Sequence, residues 1–272
     1  MYLFILLLNL NAGYSLLASQ PYNFVHLITK VRELKLLYNK TASELRQDLR
    51  NQVLGLNSTE FEKTALQIFQ YQAHYNPVYK EYLGYLNTPV EKVHKLSQIP
   101  FLPIQFFKNH NIFTGEAQTP KITFEGSGTT GLQTSRHGLY DEALYHEVSQ
   151  SIFESHYGPL NQFHIFALLP SYLERSTSSL VYMMQHFIQK SDSKVSDFYL
   201  KNTDEMLQRL KYITDHPDGK KILLMGVTFA LLDLAESGTD LSFIQKIPHI
   251  HIMDTGGMKG RREELLREEV DD

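Results

Sequence analysis

Lys221-Ile222-Leu223-Leu224-Met225-Gly226 is the stretch whose reading decides the fold. An apolar run of this length reads as a buried strand running into a glycine. Thr228 to Glu236, just after it, reads as a helix. The same order recurs upstream. His164-Ile165-Phe166-Ala167-Leu168-Leu169 is a buried strand ending at Pro170, and Ser178 to Ile188 is a helix. Val195 to Leu200 alternates like a strand, Asp204 to Ile213 is helical, and Ile247 to Met253 is a further strand ending at Asp254-Thr255-Gly256-Gly257. Strands alternating with helices imply βαβ units. The expected fold class is α/β, with a mainly parallel sheet flanked by helices.

Before this region, Asn57-Ser58-Thr59 offers N-cap oxygens to a helix carrying Phe61, Ala65, Ile68 and Phe69 on one stripe. That helix should stop near Asn76-Pro77, with a short helix following through Tyr82 and Leu86. Pro100 and Pro103 favour an extended path beyond. Lys121-Ile122-Thr123-Phe124 is strand-like, and Tyr140 to Phe153 reads as a helix.

The chain has 272 residues, 42% of them apolar, as in an ordinary globular protein. A net charge of −4 gives no basic character pointing to nucleic acid. The absence of Cys removes disulfides and thiolate metal sites. The apolar run Tyr2 to Leu8 is far shorter than the roughly 20 residues a membrane span needs. No Lys or Arg precedes Lys30, so the positive start of a signal peptide is missing, although Ala18-Ser19-Gln20 is a feeble cleavage site. No stable membrane insertion is expected, and a cytoplasmic location is. Residues 1–50 are expected to be an extension outside the core, and 51–272 the domain.

Glu125-Gly126-Ser127-Gly128-Thr129-Thr130-Gly131 follows the strand at Phe124. Glycines permit close backbone approach to a ligand, successive N–H groups form an anion nest, and hydroxyls add donors. This is chemistry for nucleotide phosphates. Gly126, Gly128 and Gly131 satisfy the dinucleotide spacing, but Leu132 to Gly138 still reads as loop rather than as the opening of a helix. Leu132-Gln133 replaces the Lys-Ser/Thr of a Walker loop. A surface loop without a ligand remains the alternative.

Further stretches accompany it in order: Ile99 to Lys108, Ser135-Arg136-His137, Leu169 to Ser176, Gly226 to Asp233 and Asp254 to Arg262. Together they resemble the LuxE-type acyl-protein synthetase family, within the adenylate-forming enzymes, from about Phe61 to Val270. Gly126 departs from the Ser or Thr usual there. The resemblance implies part of the large N-terminal domain of such enzymes. It also implies ATP and Mg²⁺ as cofactors, a fatty or other carboxylic acid as substrate, and an acyl-acceptor protein or thiol as partner. Its implied nucleotide-binding residues are Gly126, Ser127, Gly128, Thr129, Thr130, Gly131, Gly256, Gly257 and Arg261. Arg136 and His137 are the implied catalytic residues. Arg136 suits a bidentate clamp on phosphate or carboxylate, and His137 either positions a substrate or holds a structural hydrogen bond. The family's Tyr-Gly-x-Thr-Glu motif and catalytic Lys are expected after Asp254–Arg262, beyond Asp272. A non-catalytic nucleotide- or acyl-binding remnant is therefore the alternative function.

Other constellations are weaker. Lys259 and Arg262 flank the glycine turn but also begin a charged stretch. Glu174 and Arg175 could shape an acid pocket or form an ion pair. Ser178 and Ser179 read as caps, and no Gly-x-Ser-x-Gly elbow marks a serine hydrolase. His249 and His251 face one side without a third ligand. His146-Glu147 begins a zinc-protease motif that fails at Gln150.

Overall fold

The computed structural model describes residues 41–115, 119–126, 134–169, 177–199 and 202–256. They fall into two compact units, 41–106 with 110–115, and 107–109 with 119–256.

The first unit is helical. Helix α1 (Ala42–Leu54) begins at Thr41, whose side chain accepts from Glu44 N while Glu44 accepts from Thr41 N, a reciprocal cap. It runs through position 50 without a break. Helix α2 (Phe61–Tyr75) and helix α3 (Pro77–Tyr85) meet at Asn76. Asn57 accepts from the Thr59 and Glu60 backbones, shaping the turn just before α2 rather than capping its first N–H groups. Asn76 is 3% exposed. Its Oδ1 caps Tyr79 N at 3.0 Å and its Nδ2 donates to Thr114. Pro77 at the first helical turn loses no hydrogen bond there. Ala65, Phe69, Ala73, Tyr79, Leu83, Val93 and Ile99 form this unit's core. Helix α4 (Phe106–Asn109) interrupts the extended path expected after Pro103.

The second unit holds two sheets. Strands β1 (Ile122–Glu125) and β2 (Arg136–Leu139) pair antiparallel, with Glu125 opposite Arg136 and Phe124 opposite His137. Helix α5 (Glu142–Tyr157) follows, capped by Asp141 and ended by Gly158 at φ +96°. Then come β3 (Phe163–Leu168), α6 (Ser179–Lys190), β4 (Asp197–Tyr199), α7 (Thr203–Asp215), β5 (Lys221–Gly226), α8 (Thr228–Ala235) and β6 (Ile250–Asp254). Strands β3 to β6 make one parallel sheet in the order β4-β3-β5-β6. The α/β class expected from the alternating pattern is what the chain adopts.

The core explains why β3 and β5 read so clearly. Every residue of β3 is buried, as is β5 from Ile222 onward, because helices cover both faces of a parallel sheet. Phe166 and Tyr199 stack across neighbouring strands with ring centres 5.5 Å apart, both without exposure. The strand order also sets where a ligand can sit. From β3 the chain moves outward to β4, and from β5 outward the other way to β6. The β3/β5 boundary is therefore a topological switch point, and in open sheets of this kind ligands bind outside the carboxyl ends there.

Candidate functional site at the carboxyl edge of the parallel sheet

The carboxyl ends of β5 and β6 are tied together by polar contacts. Thr255 donates to Gly226 O through its backbone N–H at 3.0 Å and through its hydroxyl. Thr228, the first residue of α8 and 4% exposed, donates its hydroxyl to Asp254 Oδ1 at 2.7 Å. Gly256 N donates to the same oxygen at 2.9 Å. Gly256 has φ +76°, which a side chain would strain. At Gly226 the demand is space, since a Cβ would lie 2.7 Å from Leu231 Cγ. Helix α8 thus sits hard against the end of β5, and the turn after β6 is held in one shape.

Glu125 and Gly126, at the end of β1, are held by two backbone bonds. Glu125 N donates to Thr177 O at 3.0 Å, and Gly126 N donates to Ser135 O at 2.9 Å. Thr177 precedes Ser178, whose hydroxyl caps α6 at Val181 N. The start of α6 lies on the carboxyl side of β3, as a crossover helix must. The hairpin end bearing Gly126 is therefore fastened beside the start of α6. Phe124 anchors it from below, with its ring 5.6 Å from that of Tyr145 and 5.5 Å from that of Tyr182.

One local expectation is corrected. Arg136-His137-Gly138-Leu139 is a strand, not loop, so the glycine-rich stretch joins two antiparallel strands and a second strand separates it from α5. Pairing with β1 supplies the backbone partners that this short polar segment could not announce by itself. The pleat then sends Arg136 and His137 to opposite faces. Arg136 is exposed beside Glu125. His137 shares the inner face with Phe124, its ring 6.0 Å from that of Phe107. Burial pushes the His137 imidazole down to about 4. It is neutral at physiological pH and supplies no cation for a phosphate.

No family model, curated protein or solved structure matches this chain.

Of the sequence-derived candidates, Gly126, Arg136, His137 and Gly256 are placed. Ser127, Gly128, Thr129, Thr130, Gly131, Glu174, Arg175, Gly257, Lys259, Arg261 and Arg262 lie outside the described residues. A Cβ at Gly126 would meet Ser135 Oγ at 2.5 Å, a clash that rotation of Ser135 relieves. Thr228 and Asp254 were not singled out as a pair. Their signal was positional, a hydroxyl opening the helix after one strand and a carboxylate ending the next.

The backbone N–H groups of Gly126, Thr255 and Gly256 and the hydroxyls of Thr228 and Thr255 donate within the chain, to Ser135 O, Gly226 O and Asp254 Oδ1, and so fix the turns at this edge. Among the described residues no cluster of three or more His, Asp or Glu side chains is set for a metal ion. Mg²⁺ in nucleotide sites commonly relies on one or two carboxylates plus substrate phosphates, and Asp254 is a carboxylate at this edge. The histidines flagged in sequence pack as rings. His251 lies edge-on to Tyr157 with centres 5.3 Å apart, and His146 stacks on His186 at 4.1 Å.

Proposed function

We propose that the sheet-bearing unit binds ATP with its phosphates at the carboxyl edge of β3, β5 and β6. There it activates a carboxylic acid as an acyl-adenylate for transfer to a thiol. The observation that carries this reading is the Glu125–Thr177 backbone bond. It ties the entry to the Ser-Gly-Thr-Thr-Gly stretch to the start of α6, the crossover helix after β3, and open parallel sheets take ligands outside the carboxyl ends of their strands, which supports this reading.

In this reading Ser127 to Gly131 present N–H groups and hydroxyls to the phosphates. Thr228, Thr255, Gly256 and Gly257 line the β5/β6 side, and Arg136 and Arg261 bring positive charge. His137, being neutral, positions by hydrogen bonding. Mg²⁺ arrives with the nucleotide and would supply charge neutralisation, and Asp254 is a carboxylate that could hold it. A carboxylate oxygen of the acid attacks the α-phosphorus, the bond to the β-phosphate bridging oxygen breaks, and pyrophosphate leaves. The chain's part is to hold two anions together with preorganised donors. The acyl acceptor is a thiol outside this chain, which has no Cys.

ATP binding measured by calorimetry, followed by acid-dependent ATP–pyrophosphate exchange, tests the proposal. Micromolar to millimolar ATP binding that Gly128→Val abolishes is expected. Binding without exchange would restrict the unit to nucleotide binding, and absence of any ATP binding would contradict the reading.

A further inference from the structure

His164, Ser193 and Asp218 are distant in sequence and meet at the amino edge of the parallel sheet. His164 is the second residue of β3 and 5% exposed. Its Nδ1 lies 2.7 Å from Ser193 Oγ, in the turn between α6 and β4. Its Nε2 lies 3.0 Å from Asp218 Oδ1, in the turn between α7 and β5. An ionised carboxylate only accepts, so Nε2 must carry the ring hydrogen. In the neutral ring Nδ1 is then the acceptor, and the Ser193 hydroxyl donates to it. This is the proton arrangement of an activated serine, with the two ring nitrogens exchanged relative to the protease template.

The surrounding turn is held in place. Ser193 is half-buried and follows Asp192, which has φ +46°. Its Oγ accepts from Val195 N at 3.3 Å. Below it, buried Ser191 donates to Ser196, which accepts from Ile165 N of β3. Lys220 Nζ donates to Ser191 O at 2.9 Å and Asp192 O at 3.0 Å. An ammonium has three N–H donors, so one remains beyond these two, on a cation beside the turn that carries Ser193.

We propose that Ser193, His164 and Asp218 form a nucleophilic triad that takes an acyl group from an activated ester. Ser193 Oγ bonds to the ester carbonyl carbon as its proton passes to His164 Nδ1. Lys220 faces the oxyanion. The carbon–oxygen bond to the leaving alcohol then breaks, and Nδ1 returns the proton to the departing oxygen. Water repeats the sequence, releases the acid and restores Ser193. Nothing is oxidised or reduced. The site is separate from the nucleotide edge by the run of β3 from His164 to Leu168, roughly 13 Å, so either reading can fail alone.

The experiment treats the full chain with diisopropyl fluorophosphate, locates the adduct by peptide mass mapping, and follows p-nitrophenyl acetate hydrolysis in parallel. A single adduct on Ser193, absent in Ser193→Ala, is expected. In Asp218→Asn the amide oxygen can go on accepting from Lys220 N and Nε2, but the negative charge that stabilises the imidazolium formed when Nδ1 takes the serine proton is gone. Labelling and hydrolysis should then slow on the order of 10²- to 10⁴-fold. Asp218 is more than half exposed, so this variant should keep its thermal transition. No adduct on Ser193 of the unmodified protein overturns the proposal, as does labelling of a folded Asp218→Asn at the unmodified rate. A purely structural lock gives the first of these results together with a lowered melting temperature in Ser193→Ala. If Asp218→Asn fails to fold, the presence or absence of the adduct on unmodified Ser193 decides.

Discussion

The two edges of the parallel sheet carry different chemistry on the same strands. At the carboxyl edge the polar groups are mostly backbone donors and hydroxyls, at Gly126, Thr228, Thr255 and Gly256. At the amino edge they are side chains in a relay, Ser193, His164 and Asp218, with Lys220 beside them. The first fixes the turns at the strand ends, which in the proposed reading frame the site for an anion. The second suits proton transfer to and from a nucleophile. Strand β3 contributes to both, its apolar middle separating one from the other.

The comparison can be broken in several ways. The largest expected effect is the 10²- to 10⁴-fold loss of Ser193 labelling in Asp218→Asn, with ATP binding untouched. Next is the shared centre. Phe166→Ala removes a fully buried ring stacked on Tyr199 and should cost about 3–5 kcal/mol in urea unfolding, degrading both edges together. Gly226→Val is confined to one edge. Its Cβ would crowd Leu231, so a loss of about 1–3 kcal/mol is expected, with weakened ATP binding but normal Ser193 labelling. Thr228→Val leaves Asp254 Oδ1 one donor short and should cost about 1–3 kcal/mol. Should Gly226→Val or Thr228→Val abolish serine labelling in a folded protein, the edges are not independent.

The smallest effect is a pH dependence. Burial holds both His137 and His186 down at about 4 from 6.5, with His146 and Lys190 adding to the depression at His186. His186 also stacks on His146 and meets Gln150 Oε1 at 3.2 Å. The folded form therefore favours the neutral rings. Between pH 6.5 and about 4 the unfolded chain binds more protons, so their contribution is full above 6.5 and is lost as pH falls through that window. His186→Gln should flatten the fall of the urea midpoint over that range, and an unchanged slope would remove His186 from the account.

Much of the sheet was legible because it is buried. Ile165 to Leu169 and Ile222 to Met225 are apolar without interruption, and the stretches read from His164 and Lys221 match β3 and β5 within a residue at each end. Edges were less so. β6 begins at Ile250 rather than Ile247 because His249 takes φ +62° just before it. β2 was missed because Arg136 to Leu139 acquires its strand character from pairing with β1, a contact no local pattern carries. The division into two units was also silent, since α2 and α3 bury their own core around Phe69 and Tyr79 without a composition break. At the candidate site, glycines announced the carboxyl edge through their spacing. The amino-edge triad was hidden because its members come from one strand and two turns, separated by 29 and 54 residues from His164.

The central claim is that nucleotide belongs to the carboxyl edge. Hydrogen–deuterium exchange of the full chain with and without ATP and Mg²⁺ tests it most directly. The account predicts slowed exchange in peptides covering 122–139, 226–230 and 254–256, with 191–196 and 217–221 unchanged. Protection confined to the amino-edge peptides, or no protection anywhere at millimolar ATP, would contradict it.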